Sequence, residues 1–191
     1  MIIGITGGSG CGKTTLLNLI AEQGGMVLDC DAIYHELLKT DKVMLSAIDA
    51  RFPGVIENGQ LNRKKLGSIV FADEKALLDL NAITHTAVKK EVLRRLEHRS
   101  GLAAIDAIAL FEGGLAELCD VTVAITAPVE DRVARLMARD GISADYASSR
   151  IAAQHDEDWF RKKCGFILEN NSNLDAFATK CIDFLHNLYI M

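Results

Sequence analysis

The sequence predicts an α/β protein in which a parallel five-stranded sheet carries helices on both faces. Three observations lead there. The apolar run Met1-Ile2-Ile3-Gly4-Ile5 leads into Gly7-Gly8-Ser9-Gly10-Cys11-Gly12-Lys13-Thr14, which has the form G-x-x-x-x-G-K-[ST]. Thr14, Leu16, Leu17, Ile20 and Ala21 then set apolar residues on one helical face as far as the Gly24-Gly25 break. Further apolar runs recur downstream between helix-patterned segments, the arrangement that builds parallel sheets.

The spacing of the first motif has a physical reason. Glycines allow backbone angles that side chains forbid, so successive N–H groups point inward beside the positive end of the following helix. Such a loop cradles an anion. In a nucleotide site Lys13 reaches the β- and γ-phosphates and the Thr14 hydroxyl ligates magnesium. Cys11 lies inside this loop, where it is either a small filler or a thiol whose pKa the amide dipoles lower.

Composition narrows the remaining classes. With 191 residues the chain reads as one domain with insertions. A net charge of −5 argues against a nucleic-acid surface and leaves a nucleotide as the expected polyanion. Cys11, Cys30, Cys119, Cys164 and Cys181 form no C-x-x-C pair, and their odd number fits reduced thiols in the cytoplasm. No signal peptide and no apolar run long enough to span a membrane is expected.

Met26-Val27-Leu28 is a second strand, ending in Asp29-Cys30-Asp31. The carboxyl edge of a parallel sheet is where ligands bind, so these carboxylates should face the phosphate loop. Asp31, the outer one, is the chosen base, against the alternative that it caps a helix starting at Ala32 with Asp29 as a solvated strand end. From Ala32 to about Arg99 the pattern is helical and polar, without a strong strand signal, and Phe52-Pro53-Gly54 and Glu57-Asn58-Gly59 mark turns. On their own Arg63 reads as a solvated charge and His85 as a structural imidazole. Lys89-Lys90, Arg94-Arg95 and Arg99 alternate with Glu91 and Glu97 as an exposed helix face.

Ala103 to Phe111 reads as the third strand, with Asp106 inside it and Glu112-Gly113-Gly114 at its carboxyl end. That interior position gives little support to a magnesium role for Asp106 and favours Glu112 as a substrate contact. Val121 to Ile125 is the fourth strand, closed by Pro128, and a helix runs from Glu130 to Arg139. Arg132, Arg135 and Arg139 gather towards one side of it. With Arg150, in a helix that Ser143 caps, and Arg161-Lys162-Lys163, they suit a cationic lid over a triphosphate. Phe166-Ile167-Leu168 is the fifth strand, and Leu174, Phe177, Ala178, Cys181, Ile182 and Leu185 give the last helix its buried stripe.

Taken in order, these segments resemble the dephospho-coenzyme A kinase family over nearly the whole chain. Thr6 to Thr14 is similar to its T-G-G-x-x-x-G-K-[ST] loop, Asp29-Cys30-Asp31 to D-A-D, and Asn62-Arg63 with Val70-Phe71 to D-R-x-x-L…V-F. Asn81 to His85 resembles L-N-x-x-x-H-P, Asp106 to Glu112 D-I-P-L-L-F-E, and Arg135 to Asp140 R-x-x-x-R-D. Gln154 corresponds to a lid glutamine, and Ile167-Leu168-Glu169-Asn170 to V-I-D-N. The resemblance departs at His35, where the family has arginine, at Thr86 and Ile108, where it has proline, and at Cys164-Gly165.

The resemblance implies a P-loop kinase core (1–31, 101–134 and 166–191), a helical acceptor-binding insertion (32–100) and a lid (135–165). It implies transfer of the ATP γ-phosphoryl group to the ribose 3′-hydroxyl of dephospho-CoA, with Mg2+ accompanying ATP at Thr14. Catalysis falls to Asp31, Lys13 and Arg139. ATP is held by Gly8, Ser9, Gly10, Cys11, Gly12, Lys13, Thr14, Thr15, Arg135 and Arg139. The acceptor is held by Asp31, His35, Arg63, Phe71, His85, Phe111 and Glu112. No nucleic acid, membrane or obligate protein partner is expected. A nucleoside or nucleotide kinase on the same core, or a nucleotide-dependent switch, are the alternatives that the residues themselves leave open.

Overall fold

Five short apolar runs come together in one parallel sheet. The computed structural model describes residues 1–190. In chain order the elements are β1 (Ile2–Thr6), α1 (Lys13–Glu22), β2 (Met26–Asp29), α2 (Cys30–Thr40), α3 (Lys42–Arg51), β3 (Ile56–Glu57), β4 (Gln60–Leu61), α4 (Arg63–Val70) and α5 (Glu74–Leu96). Then follow β5 (Ala103–Asp106), a 3-10 turn (Ala116–Leu118), β6 (Val121–Thr126), α6 (Val129–Asp140), α7 (Ala144–Ala152), α8 (Glu157–Lys163), β7 (Phe166–Glu169) and α9 (Leu174–Ile190). The sheet order is β2-β5-β1-β6-β7, all neighbours parallel.

Alternation along the strands divides the interior. Ile2, Ala103 and Ile105 face a core built with α2 to α5, including Ile33, Ile48, Leu66, Val88 and Val92. Ile3, Ile5, Ala104, Val123 and Ile125 face the opposite core, with Leu16 and Ile20 of α1 and Phe177, Cys181 and Leu185 of α9. Successive side chains of a strand point to opposite faces, so a strand buried on both sides must be apolar throughout.

Register fixes where the chemistry can sit. Asp29 lies opposite Asp106, and Ile5 opposite Asp106 on the other side, so β1, β2 and β5 end together. Two carboxylates therefore stand on neighbouring strand tips beside the loop that leaves Thr6.

Four expectations are corrected here. The third strand stops at Asp106 instead of Phe111, because Gly113 N–H and Leu115 N–H turn back to the carbonyls of Ala109 and Leu110. Its remaining apolar residues, Ala107 and Leu110, are buried from turns rather than from a strand. Helix α2 starts at Cys30, with Asp29 accepting the Ala32 N–H as its N-cap, so the cap is Asp29 and not Asp31. The segment after Ala32 also holds a two-stranded hairpin, β3–β4, whose Asn58 and Gly59 take positive φ as a two-residue hairpin turn requires. In α9 the stripe runs through Phe177, Cys181, Phe184, Leu185 and Leu188, while Leu174 and Ile182 are exposed.

Phe177 is fully buried under the start of α1. Its replacement by alanine is expected to cost about 3–5 kcal/mol of stability, read as a lowered midpoint in urea unfolding with an unchanged slope.

Candidate active site

Each carbonyl of the loop between β1 and α1, from Gly7 to Gly12, is taken by a donor. Lys13 Nζ donates to the Gly7 carbonyl at 3.0 Å and the Cys11 N–H to the Gly8 carbonyl at 3.3 Å. Arg132 Nε donates to Ser9 O at 3.0 Å, and Arg135 Nη1 to Gly10 O at 3.1 Å. Buried Asn170 donates to Cys11 O at 2.9 Å, and Thr15 N–H to Gly12 O at 3.2 Å. With the carbonyls anchored, and apart from the Thr15 N–H that bonds to Gly12, the N–H groups at the start of α1 are left to serve as donors for an anion. Glycine is sterically required at Gly7 (φ 131), where a Cβ would lie 2.2 Å from the Ile125 carbonyl oxygen, and favoured at Gly12 (φ 100), where it would lie 2.4 Å from Asn170 Nδ2.

Gln154, in the turn after α7, grips the same loop. Its Oε1 accepts from the Ser9 N–H and from Arg132 Nη2, both at 2.9 Å, and its Nε2 donates to Ser9 Oγ at 2.9 Å. Cys11 is buried, and desolvation pushes its thiol up despite the opposing Lys13 and Arg132 charges. Of its two sequence readings, the filler stands and the activated thiol does not.

A polar cleft of about 400 Å³ opens in front of this loop. Lys13, Thr14, Asp29, Asp31 and Asp106 line one side, and Arg135, Arg139 and Arg150 the other. Arg139 and Arg150 share Asp140, at 2.7 and 2.9 Å, and their hydrogen bonds hold its carboxyl at about 2. Arg161 is turned elsewhere, to Glu157 and to Glu169 at the end of β7. Thr15 is half-buried and not part of this lining.

Asp106 is the residue that the strand reading undervalued. One of its carboxylate oxygens is buried without a hydrogen-bond partner. Burial pushes its pKa up to about 6, Asp29 and Asp31 add to the rise, and Lys13 opposes it. Asp29 spends one oxygen on the α2 cap, whereas Asp31, in the first turn of α2, is exposed.

A second cleft, about 230 Å³ and mostly apolar, adjoins the first. Asp31 and Ile108 line both. The second cleft also takes in Tyr34, Asn81, Thr84, His85 and Val88. Burial raises the Tyr34 phenol and the Arg63 charge opposes that rise, but Arg63, the first residue of α4, lines neither cleft. His35 is exposed with its ring 5.7 Å from Tyr34, and Phe71 is 84% exposed at the end of α4; neither lines either cleft. Glu112 is not at a strand tip but in the turns after β5. Its Oε1 lies 2.6 Å from His155 Nε2, and the His155 ring stacks on Trp159 at 3.7 Å. Phe111 meets Trp159 edge-on at 5.5 Å.

Tyr34 enters the site without having been singled out in the sequence, and Arg132 and Asn170 enter it with partners that the sequence did not indicate. Arg132 belongs to the arginine row and Asn170 to the last matched segment, but neither sequence pattern states that the partner is a loop carbonyl.

The dephospho-CoA kinase family model matches residues 1–176. A relative from Latilactobacillus sakei subsp. sakei, named dephospho-CoA kinase, is 33% identical over 183 residues, covering 93% of this chain and 91% of its own. A crystal structure from Thermus thermophilus superposes with a TM-score of 0.82 at 33% identity, covering 98% of this chain and 97% of the other. The dephospho-CoA kinase structure from Campylobacter jejuni gives 0.67 at 25% identity, covering 98% and 96%.

The raised pKa of Asp106 has a ligand-free consequence. The folded chain holds this proton up to about pH 6, while the unfolded chain releases it near 3.8. Stability from this group is therefore full below pH 4 and is lost as pH rises through 6, by about 2–3 kcal/mol. Asp106→Asn is expected to match the parent at pH 4 and exceed it at pH 7, read from urea unfolding across that range.

Proposed function

The chain belongs to the dephospho-CoA kinase family and catalyses the ATP-dependent phosphorylation of dephospho-CoA in coenzyme A synthesis; we propose that the transfer takes place where its two clefts meet, with Asp31 as the base. The carrying observation is that Asp31 lines both the polar cleft at the phosphate loop and the apolar cleft beside it. A carboxylate at that boundary touches donor and acceptor at once.

In this reading the triphosphate lies on the loop from Gly8 to Thr15. Its γ-phosphate is met by Lys13, and Arg135 and Arg139 approach from the opposite wall. The ribose 3′-oxygen of dephospho-CoA attacks the γ-phosphorus. The bond to the β,γ-bridging oxygen breaks, ADP leaves, and the hydroxyl proton passes to Asp31. Such transfers depend on positioning and on stabilising spread negative charge, which cations fixed in a cleft supply without reorganising. Arg63, His85, Phe111 and Glu112 orient the acceptor in our reading, with His35 and Phe71 reaching it only if α2 and α4 move inward.

Thr14 and Asp106 suit the magnesium ion that accompanies ATP. Asp106 lines the same cleft as Thr14, and one of its oxygens is buried with no protein partner, so its carboxylate is a hard donor free for such an ion. When bound, the ion supplies neutralisation of the phosphate charge.

We assign 1–31, 101–134 and 166–191 to the core, 32–100 to acceptor binding and 135–165 to the lid. Among the described residues no helix is long and apolar enough to cross a membrane. The free cysteines Cys11, Cys30, Cys119, Cys164 and Cys181 support a cytoplasmic setting. ATP and dephospho-CoA are the partners the reading requires, and no nucleic acid, membrane or obligate protein partner enters it.

Asp31→Asn is expected to lower kcat with dephospho-CoA by about 100-fold or more while leaving ATP binding close to that of the parent, since general-base catalysis contributes on this scale. Coupled ADP release and nucleotide titration check it; unchanged turnover would remove Asp31 from the role of base.

A further inference from the structure

The apolar cleft that starts at Asp31 ends at His85 and Gly113, and there a wider groove of about 510 Å³ continues along α5. Lys89, Lys90 and Leu93 line it from the helix, with Glu112 and Gly114 opposite. Helix α5 is unbroken over Glu74–Leu96, and Thr86 bonds back to the Ala82 carbonyl at 2.7 Å within it. His85, Lys89 and Leu93 therefore follow one another at intervals of four, about 6 Å apart in a single row. Lys90 flanks that row.

The charges along the groove are uneven. Glu112 is already engaged by His155, and Lys89 touches the mostly exposed Glu117 at 2.9 Å. Lys90 has no carboxylate partner among the described residues. Two ammonium groups thus stand beyond the mouth of a cleft whose own walls are mainly apolar.

Dephospho-CoA has matching parts: a nucleoside, a 5′-diphosphate and a long amide arm. The small apolar cleft accepts a nucleoside but is a poor place for a diphosphate, which would lose its water there without cations to replace it. With the 3′-oxygen at Asp31, the opposite end of the cleft, past His85, leads the 5′ side to these cations. Resting on the acceptor reading above, we infer that Lys89 and Lys90 bind the diphosphate of dephospho-CoA and that Leu93, 44% exposed, takes the first apolar part of the arm. These lysines position the acceptor and distinguish it from nucleosides that lack a diphosphate.

Steady-state kinetics test this. Lys90→Ala is expected to raise KM for dephospho-CoA about tenfold, and Lys89→Ala with Lys90→Ala about a hundredfold, the scale of one and two charge-assisted contacts. The effect falls on KM for dephospho-CoA and not on KM for ATP, and its salt dependence weakens in the double variant. Lys90→Arg keeps the charge and recovers most of the loss. Arg94→Ala, on the same helix but paired with Glu91 away from the groove, retains the parent KM. If the parent turns over dephospho-CoA and the double variant shows the parent KM, the diphosphate site is wrong while the acceptor reading survives. A parent inactive on dephospho-CoA removes both. Should the double variant misfold, Lys90→Ala alone decides, since that exposed side chain supports no neighbour.

Discussion

The site depends on how the carbonyls of one loop are occupied. A peptide unit cannot turn its N–H towards a ligand without turning its C=O the other way, and a carbonyl facing protein needs a donor. Here the donors come from far along the chain: Arg132 and Arg135 from α6, Asn170 from the end of β7, and Lys13 from the loop's own helix. The nest for an anion is therefore held open in part by side chains, Arg132 and Asn170, that need never touch that anion. Three segments, α1, α6 and the end of β7, must be in place before the motif has its shape.

Opposed to the nest stands a group of acids whose charges resist being close. Asp29 and Asp106 face each other across adjacent strand tips, and Asp31 follows within one turn. They are differentiated by their surroundings: Asp29 is tied to a helix end, Asp106 has one oxygen buried without a hydrogen-bond partner, and Asp31 remains open to solvent. Environment, more than residue type, thus divides three aspartates into a cap, a candidate magnesium ligand and a candidate base. Lys13 supplies the charge that opposes their repulsion, while Arg139 and Arg150 are paired with Asp140.

The sheet and the anion loop were legible because local pattern determines them: an apolar strand, fixed glycines, then a helix. The end of β5 was not. Ala107 and Leu110 are as buried in turns as they would be in a strand, so hydrophobicity continued past the point where pairing stopped and left Asp106 mid-strand on paper. The cap was also hidden, since D-C-D allows either aspartate to begin the helix and only backbone bonding decides between them. Gln154 and Asn170 were picked out by resemblance, yet their targets, a loop amide and a loop carbonyl, are relations across about 150 residues that no spacing encodes. Arg161, read as part of a cationic lid, pairs with Glu157 and Glu169 and does not line the polar cleft.

The pair α6–α7 has a core of its own, formed by Leu136, Ala147 and Ile151 with Val133 and Ile142 against it. Few apolar contacts hold such a unit together compared with those that clamp the central strands, and regions of this kind open at a small fraction of the global unfolding free energy. Backbone deuterium uptake in α7 should consequently run ahead of that in β1, β5 and β6. Because Gln154 follows one residue after the α7 cap and accepts the Ser9 N–H, each such opening also frees one amide of the anion loop.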